Sequence, residues 1–313
     1  MTRTANRTIP AKPRGCDVAK LPEPRRRFRP SRRAYRLFAG NVLAAFGAVS
    51  AATQFLGQLF PTGLPHPGAM TFATLGLCVA WGVVRLPSRT QVHRTFKHPR
   101  MSVRVETGDL FERAEHLVVG FCDTFDTAIS PDGPVHPASV QGQLLARLYG
   151  GDSPRLDQDL AVALAGIRPA SMERRRLKPT GKLARYPVGT VALLDDGPRR
   201  VFAVAYSRLG NDGMARSSIE ELWLSLNRLW DAVYRHGQQD AVAVPLLGAG
   251  LARLDFLHQE DILRLILLSF VTRSRERRIC RELTVVIGPG DTREIDMPEV
   301  AAFLQTLGAS GDK

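Results

Sequence analysis

Two short segments of the sequence carry residue types that could recognise a nucleotide. In ETGDLF (106–111), Gly108, Asp109 and Leu110 follow an apolar strand. Glycine permits a sharp turn there, and the aspartate could accept hydrogen bonds from an amino-bearing ring. In VPLLGAGL (244–251), a buried strand runs into a glycine-rich loop. Backbone amides at such a loop form a nest for an anion such as a diphosphate.

Polar residues also follow two other apolar strands. Asp123 stands at the end of one strand, and Tyr206 near the end of another. Ligands of open α/β sheets lie at the carboxyl ends of strands, so these segments are expected to meet at one edge. One glycine-rich loop alone is most often an ordinary strand-to-helix turn, whereas the ordered set indicates a nucleotide site. The predicted ligand-binding residues are Gly108, Asp109, Leu110, Asp123, Thr124, Thr127, Ser207, Arg208, Pro245, Leu247, Gly248, Ala249, Gly250 and Leu251.

The elements that must position these residues alternate along the chain. Short apolar runs alternate with amphipathic stretches, which predicts an α/β fold with a mixed sheet flanked by helices. The predicted strands are 101–106, 116–121, 190–195, 200–206, 241–247 and 283–288. The predicted helices are 139–149, 156–166, 217–237, 256–272 and 298–307. The basic segment 168–185 is expected to be a solvated loop.

The net charge of +13 is unevenly distributed. Residues 1–36 carry +10, residues 37–84 have no charged side chain, and residues 85–104 carry +6. The remainder of the chain is mildly acidic, at −3. A basic surface for nucleic acid on the folded domain is therefore excluded from the leading interpretations.

The uncharged segment is long enough to cross a bilayer twice. About 20 residues span the hydrocarbon core, and basic flanks on both sides would keep both termini in the cytoplasm. The sequence thus predicts a basic leader (1–36), a transmembrane helical hairpin (37–86), a basic linker (87–100) and a folded domain (101–313). These features predict a two-pass inner-membrane protein in contact with lipid. A cleaved signal peptide and a buried pair of soluble helices are the alternatives.

Small residues recur at every fourth position of the first span, at Gly40, Ala44, Ala48 and Ala52. Such a ridge allows another helix to approach closely, which favours a homo-oligomer. The frequency of alanine in membrane helices explains the same pattern without self-association. Neither cysteines nor histidines have metal-ligand spacing, so no metal or cofactor is expected.

Together these motifs resemble the macro domain, an α/β module that binds ADP-ribose. GDL (108–110) is similar to the family's adenine-recognising turn, PVGTVALL (187–194) to one of its strands, and VPLLGAG (244–250) to its diphosphate loop. The resemblance covers about 101–290. Asp123 stands where the family has an asparagine that contacts ribose, and 123–145 replaces its glycine-rich first phosphate loop.

With the uncharged leader, the chain is similar to the macro-domain membrane effectors of type II Thoeris anti-phage defence. That resemblance implies a TIR-domain partner that makes a histidine-linked ADP-ribose signal. It also implies that the effector oligomerises on binding this signal, disrupts the inner membrane and arrests or kills the cell. The altered motifs predict a sensor rather than an enzyme. A membrane-tethered ADP-ribosyl hydrolase with Asp123 as general base, an ADP-ribose reader and a plain membrane-anchored scaffold are the alternatives.

Overall fold

The computed structural model describes residues 32–59, 74–81, 91–129, 135–248, 257–288 and 295–309. Its strands are β1 (Gln91–Phe96), β2 (Met101–Thr107), β3 (His116–Cys122), β4 (Ser171–Met172), β5 (Ala184–Arg185), β6 (Val191–Asp196), β7 (Arg199–Leu209), β8 (Ala215–Arg216), β9 (Val242–Pro245) and β10 (Glu282–Ile287). Its helices are α1 (Arg32–Leu59), α2 (74–81), α3 (Val140–Leu148), α4 (Ser153–Leu164), α5 (Ile219–His236), α6 (Gln259–Glu276) and α7 (Met297–Ala309).

Eight of the described strands form one mixed sheet in the order β1-β2-β10-β9-β3-β7-β6, with β8 beside β7. The inner strands from β2 to β7 run parallel, whereas β1, β6 and β8 run antiparallel to their neighbours. The mixed α/β sheet flanked by helices that the sequence predicted is therefore confirmed. Its parallel strands are apolar along their length because helices cover both faces.

The core consists of two apolar layers, one on each face of the sheet. Val118 of β3 points into the layer covered by α5, α6 and α7, whereas Leu117 and Val119 point into the layer covered by α3 and α4. This alternation follows from the two-residue period of a strand. In the first layer, Trp230 of α5 donates to the Ser269 hydroxyl of α6 at 3.0 Å, which satisfies the buried indole N–H.

Helix α5 matches its sequence prediction at both ends. Ser218 precedes the helix, and its hydroxyl accepts from the amide of Glu221 at 3.2 Å. Gly237 follows its last residue, and the Gly237 amide bonds to the carbonyl of Val233 at 2.7 Å. These end contacts satisfy backbone groups that have no partner inside the helix. The start of α5 is thereby fixed only ten residues beyond the end of β7.

The transmembrane hairpin predicted over 37–86 is wrong. None of the helices that the structure describes is long and apolar enough to cross a membrane. The two-pass inner-membrane placement is overturned with it. The hairpin was predicted because the segment lacks charged side chains, but a membrane span also requires strongly apolar side chains. Helix α1 is instead rich in alanine and glycine and includes Asn41, Gln54 and Gln58. Residues 60–73, which would connect the two predicted spans, lie outside the described residues.

The sheet also extends further toward the amino terminus than the sequence indicated. Strand β1 lies within the stretch 87–100 that was expected to be a linker, and six residue pairs join it to β2. Val92 and Phe96 of β1 are buried in the core. The two-residue period of this strand is concealed in the sequence, because the exposed Arg94 stands between the buried Val92 and Phe96 on the same side of the strand.

Candidate functional site

The carboxyl ends of the five parallel strands meet at one edge of the sheet. Thr107 of β2 pairs with Ile287 of β10, whose neighbour along the strand pairs with Pro245 of β9. On the other side of β9, Cys122 of β3 pairs with Ser207 of β7. The segments that the sequence singled out after β2, β3, β7 and β9 are therefore brought to the same edge, as expected for a ligand site of an α/β sheet.

Asp109 lies directly after β2 and caps a short 3-10 turn, Leu110–Glu112. Its carboxylate accepts from the amide of Phe111 at 2.9 Å and lies 2.5 Å from the Arg147 guanidinium of α3. Partial burial acts to raise the pKa of Asp109, but the Phe111 amide and the Arg147 charge outweigh it and lower that pKa. The side chain is still 27% exposed. The carboxylate is thus ionised, oriented and open to an amino-bearing ring.

Gly108 leaves room at this turn for the end of the Arg113 side chain. Its amide donates to the carbonyl of Ile287 at 3.0 Å, which ties β2 to β10. A Cβ at this position would lie 2.6 Å from the guanidinium of Arg113, which forms an ion pair with Glu106. Any larger residue would displace that arginine. The neighbouring Leu110 is buried in the core, and its packing fixes the position of the turn.

Asp123 is fully buried, and its carboxylate is fully engaged by protein groups. The guanidinium of Arg185 donates to its two oxygens at 3.1 and 2.8 Å. The amide of Leu209 donates to it at 2.9 Å. Arg185 also bonds to Glu173 and Asn211, at 2.7 and 3.0 Å. In this arrangement Asp123 holds the end of β3 to β5 and β7, and it faces protein donors rather than an open cleft.

A second buried carboxylate, Asp126, forms an ion pair with Lys178 at 2.7 Å, and both side chains are 3% exposed. Asp126 also accepts from the Thr124 hydroxyl at 2.7 Å and from the amide of Lys182. The ammonium of Lys178 donates to the carbonyl of Lys182 at 2.6 Å. Such a pair is stable in an interior only when further hydrogen bonds satisfy both charges, as they do here.

The segment 168–185 is therefore only in part the solvated loop that its composition predicted, since most of its residues are exposed but Lys178 is buried. Strands β4 and β5 pair within it, and it packs its lysines against the loop after β3. Lys182 donates to the carbonyl of Phe125 at 2.7 Å and lies 2.5 Å from Asp157. Thr127 donates to the same Asp157 at 2.6 Å. Phe125, with a φ of 50°, stacks on Phe121 beneath this network.

The start of the predicted diphosphate loop is held by β7, which lies two strands away from β9 in the sheet. Pro245 ends β9, Leu247 is buried, and Gly248 has a φ of 93° that favours glycine. The Tyr206 side chain of β7 hydrogen-bonds to the backbone of Gly248, and burial raises the pKa of this phenol. Gly120 of β3 leaves room for that ring, because a Cβ there would lie 2.5 Å from it. Ala249, Gly250 and Leu251 lie outside the described residues.

The two predicted residues at the end of β7 point in opposite directions. Ser207 is buried, and its hydroxyl bonds to the Cys122 thiol at 3.4 Å. Burial raises the pKa of Cys122 to about 11, so the thiol is protonated at neutral pH. Arg208 is exposed and lies 2.5 Å from Glu221 in the first turn of α5. Arg208 therefore belongs to the junction between β7 and α5.

Sequence reasoning missed the positive partners of the site, Lys178, Lys182 and Arg185. The signal that could have found them was the pair Asp123 and Asp126 in an apolar context, since buried carboxylates require cations. Within the described ranges, no cluster of three or more His, Cys, Asp or Glu side chains is arranged to hold a metal ion.

Comparisons with known proteins place these features in a family. The chain matches the family model described as the Thoeris protein ThsA, Macro domain, over residues 103–288. A search of curated proteins gave no match. Among solved structures, the chain is similar to a macrodomain from Oceanobacillus iheyensis with ADP, at 9% identity and a TM-score of 0.44, covering 69% of this chain and 98% of that one.

Two mutant forms of the same Oceanobacillus iheyensis macrodomain are also similar. One, with ADPR, has 9% identity and a TM-score of 0.44, covering 69% of this chain and 99% of that one. The other has 8% identity and a TM-score of 0.46, covering 69% of this chain and 98% of that one. Because the family model matches more than half of its length, the chain belongs to the family of the Thoeris ThsA macro domain.

Proposed function

We propose that this protein is a sensor of Thoeris defence whose macro domain binds an ADP-ribose-derived signal. Histidine-linked ADP-ribose made by a TIR-domain partner is the proposed signal, and binding is proposed to promote self-association that leads to growth arrest. The observation that carries the proposal is the shared edge of the sheet. There Asp109 follows β2 and the diphosphate loop follows β9, two parallel strands on either side of β10 in a ThsA-family macro domain.

The chemistry of this edge suits a nucleotide diphosphate. The positive φ of Gly248 turns the chain after β9, and Tyr206 holds the turn in place. Amides that follow such a turn can point at an anion and stabilise it without a charged side chain. The exposed part of the Asp109 carboxylate supplies an acceptor for the amino group of a base. Charge-assisted hydrogen bonds of this kind are about twice as strong as neutral ones.

Binding without hydrolysis is part of the proposal. A general base must reach the proton that it removes. The Asp123 oxygens already accept from Arg185 and from the Leu209 amide, and the side chain is buried. Releasing Asp123 for chemistry would leave the Arg185 charge without its main buried partner. We therefore expect the bound ligand to leave the protein unchanged.

Ligand-driven self-association requires that the ligand bind one state more tightly than the other. Moving a population from about 1% to about 99% active takes a preference of about 5.5 kcal/mol. Several charge-assisted hydrogen bonds at Asp109 and at the loop after Gly248 would supply an energy of this order if they form fully only in the assembled state.

Calorimetry of the full chain tests the proposal with three probes: histidine-linked ADP-ribose, ADP-ribose and ADP. We expect binding of the ADP-ribose compounds, and at least tenfold weaker binding by Gly248→Ala. Gly197→Ala is the matched control, because Gly197 also has a positive φ but has open space around it in the turn between β6 and β7. No heat of binding with any probe would contradict the proposal, and turnover of labelled ligand would favour the hydrolase.

A further inference from the structure

The outer surface of α5 carries apolar side chains that no described element covers. Ile219, Trp223 and Leu224 are 45%, 36% and 44% exposed. They lie along a groove that Leu265 and Arg273 of α6 also line. We refer to Ile219, Glu220, Trp223, Leu224, Asn227 and Arg228 as the α5 face. Contiguous apolar surface framed by polar residues is typical of a protein interface.

The charges on the α5 face are arranged symmetrically. Glu220 and Arg228 lie four residues before and four residues after Leu224, on the same side of the helix. Both are exposed, and neither forms an ion pair with another of the described residues, although the Glu220 carboxylate hydrogen-bonds to Ser218 at the start of the helix. The other acidic residues of the helix, Glu221 and Asp231, are by contrast paired with arginines, Glu221 with Arg208 and Asp231 with Arg273 and Arg277. The α5 face thus presents one acid and one base, each without a partner of opposite charge among the described residues.

We propose that a second copy of this chain docks on the α5 face, with the two α5 helices antiparallel and the two-fold axis at Leu224. In this arrangement residues at equal distances from Leu224 lie opposite each other. Glu220 of each copy therefore meets Arg228 of the other, and the two Leu224 side chains pack together. A two-fold interface is self-complementary in this way. Glu220 and Arg228 have opposite charges and lie four residues on either side of Leu224, so the α5 face is complementary to itself. A surface that binds a different protein would require no such symmetry.

The α5 face is connected to the ligand edge through β7. The Ser217 hydroxyl, just before α5, donates to the carbonyl of Tyr206 at 2.7 Å. The Ser225 hydroxyl donates to the carbonyl of Glu221 at 2.7 Å, and it also lies 3.2 Å from the carbonyl oxygen of Ala205 on β7. Tyr206 in turn holds the backbone of Gly248. A displacement of the diphosphate loop would therefore be transmitted through Tyr206 to the residues that position α5 against the sheet.

One helix face is small beside the roughly 800 Å² per partner of a stable interface. The dimer is accordingly weak in the free protein and is strengthened when the ligand orders the edge. The existence of the interface depends only on the α5 face, while its strengthening by ligand rests on the proposed function.

Sedimentation of the full chain over a range of concentrations tests the interface through charge reversal. Arg228→Glu and Glu220→Arg each place like charges opposite each other, and each is expected to weaken the dimer at least tenfold. The double variant with both changes restores opposite charges and is expected to recover most of the wild-type affinity. Arg176→Glu, an exposed arginine on the hairpin of β4 and β5, is the control and is expected to have no effect.

Circular dichroism confirms that the variants fold before they are compared. A wild-type chain that stays monomeric at high concentration, with and without histidine-linked ADP-ribose, would overturn the inference. So would a double variant that remains as weak as the single ones. Calorimetry on the same samples keeps the two proposals separate, because the charge-reversal variants keep every residue of the ligand edge and are expected to bind ligand, although more weakly than the wild type since binding and assembly are coupled. A wild type that dimerises through α5 but binds no ligand would contradict the proposed function alone.

Discussion

The buried ion pair of Asp126 and Lys178 is the residue-scale feature with the largest expected energy. The two side chains lie 2.7 Å apart and are almost completely removed from water. Replacing such a pair by apolar residues is often neutral, but removal of one partner leaves a buried charge uncompensated. The pair therefore fixes the shape of the loop after β3 more than it adds net stability.

Lys178→Ala is expected to lower the free energy of unfolding by about 3–5 kcal/mol, because Asp126 would keep its charge without its counter-ion. Urea denaturation measures this change. Arg176→Ala is the matched control, since Arg176 is exposed two residues away and should change stability by less than about 0.5 kcal/mol. Equal stability of Lys178→Ala and the control would show that the pair is not buried in solution.

Asp109 predicts a pH dependence with a defined sign. Its pKa is lowered in the folded state despite partial burial, through the Phe111 amide and Arg147. Its contribution is therefore present above the unfolded pKa of about 3.9 and is lost as the pH falls through the lower folded value. Asp109→Asn keeps the capping oxygen but not the charge. We expect it to cost up to about 1 kcal/mol at pH 7, with the difference shrinking as the pH falls below the unfolded pKa of about 3.9. A pH-independent difference in urea unfolding would contradict this.

At this scale, the positions of residues that depend on near neighbours were predictable from the sequence. The ion-pair partners of buried carboxylates were not. Gly108 and Asp109 lie after β2 as their residue types indicated, because a glycine turn and a capping aspartate depend on near neighbours. Asp123 finds its partner, Arg185, 62 residues away. That choice is made by the packing of β5 against the end of β3, and no local pattern encodes it.

At the scale of elements, three strands cooperate to hold the diphosphate loop. Gly120 on β3 leaves space for Tyr206 on β7, and Tyr206 bonds to Gly248 after β9. The loop is therefore oriented from two strands away. Such preorganisation lowers the entropy that a ligand must remove when it binds.

Gly120→Ala is expected to weaken binding of the ADP-ribose probe at least tenfold, because the new methyl group would lie 2.5 Å from the Tyr206 ring and displace it. Gly166→Ala is the control, since that glycine near the end of α4 has open space around it. Calorimetry of both variants gives the comparison. An unchanged affinity in Gly120→Ala would mean that Tyr206 does not orient the loop.

Helices and strands were predicted correctly where the spacing of apolar residues indicated them. They were predicted poorly where the interpretation rested on the number of charged residues in a segment. Helix α5 and the inner strands follow from their apolar periods. The stretches 87–100 and 168–185 are basic and were interpreted as linker and solvated loop, yet each contributes strand residues and buried side chains. The stretch 37–86, which has no charged side chain before Arg85, was interpreted as a transmembrane hairpin. No helix that the structure describes there can cross a membrane. Charge alone does not report burial, because a lysine such as Lys178 is buried once a carboxylate faces it.

At the scale of the whole molecule, the position of β1 sets where the folded domain begins. Strand β1 forms the outer edge of the sheet beside β2, and Val92 and Phe96 fill the core beneath α7. Removal of β1 would delete these two side chains and expose the part of the core that they cover. It would also leave β2 as an unprotected edge, which favours association with other chains.

A fragment that begins at Gln91 is therefore expected to be more stable than one that begins at Met101. Burial of a valine or phenylalanine contributes about 1.5–3 kcal/mol, so the difference in the free energy of unfolding should be about 3–6 kcal/mol. Urea denaturation of fragments 91–313 and 101–313 measures it, and light scattering detects association through the exposed β2 edge. Phe96→Ala in the longer fragment isolates the packing part and should account for about half of the loss. If both fragments unfold at the same urea concentration and remain monomeric, β1 contributes nothing to the fold and the domain begins at Met101.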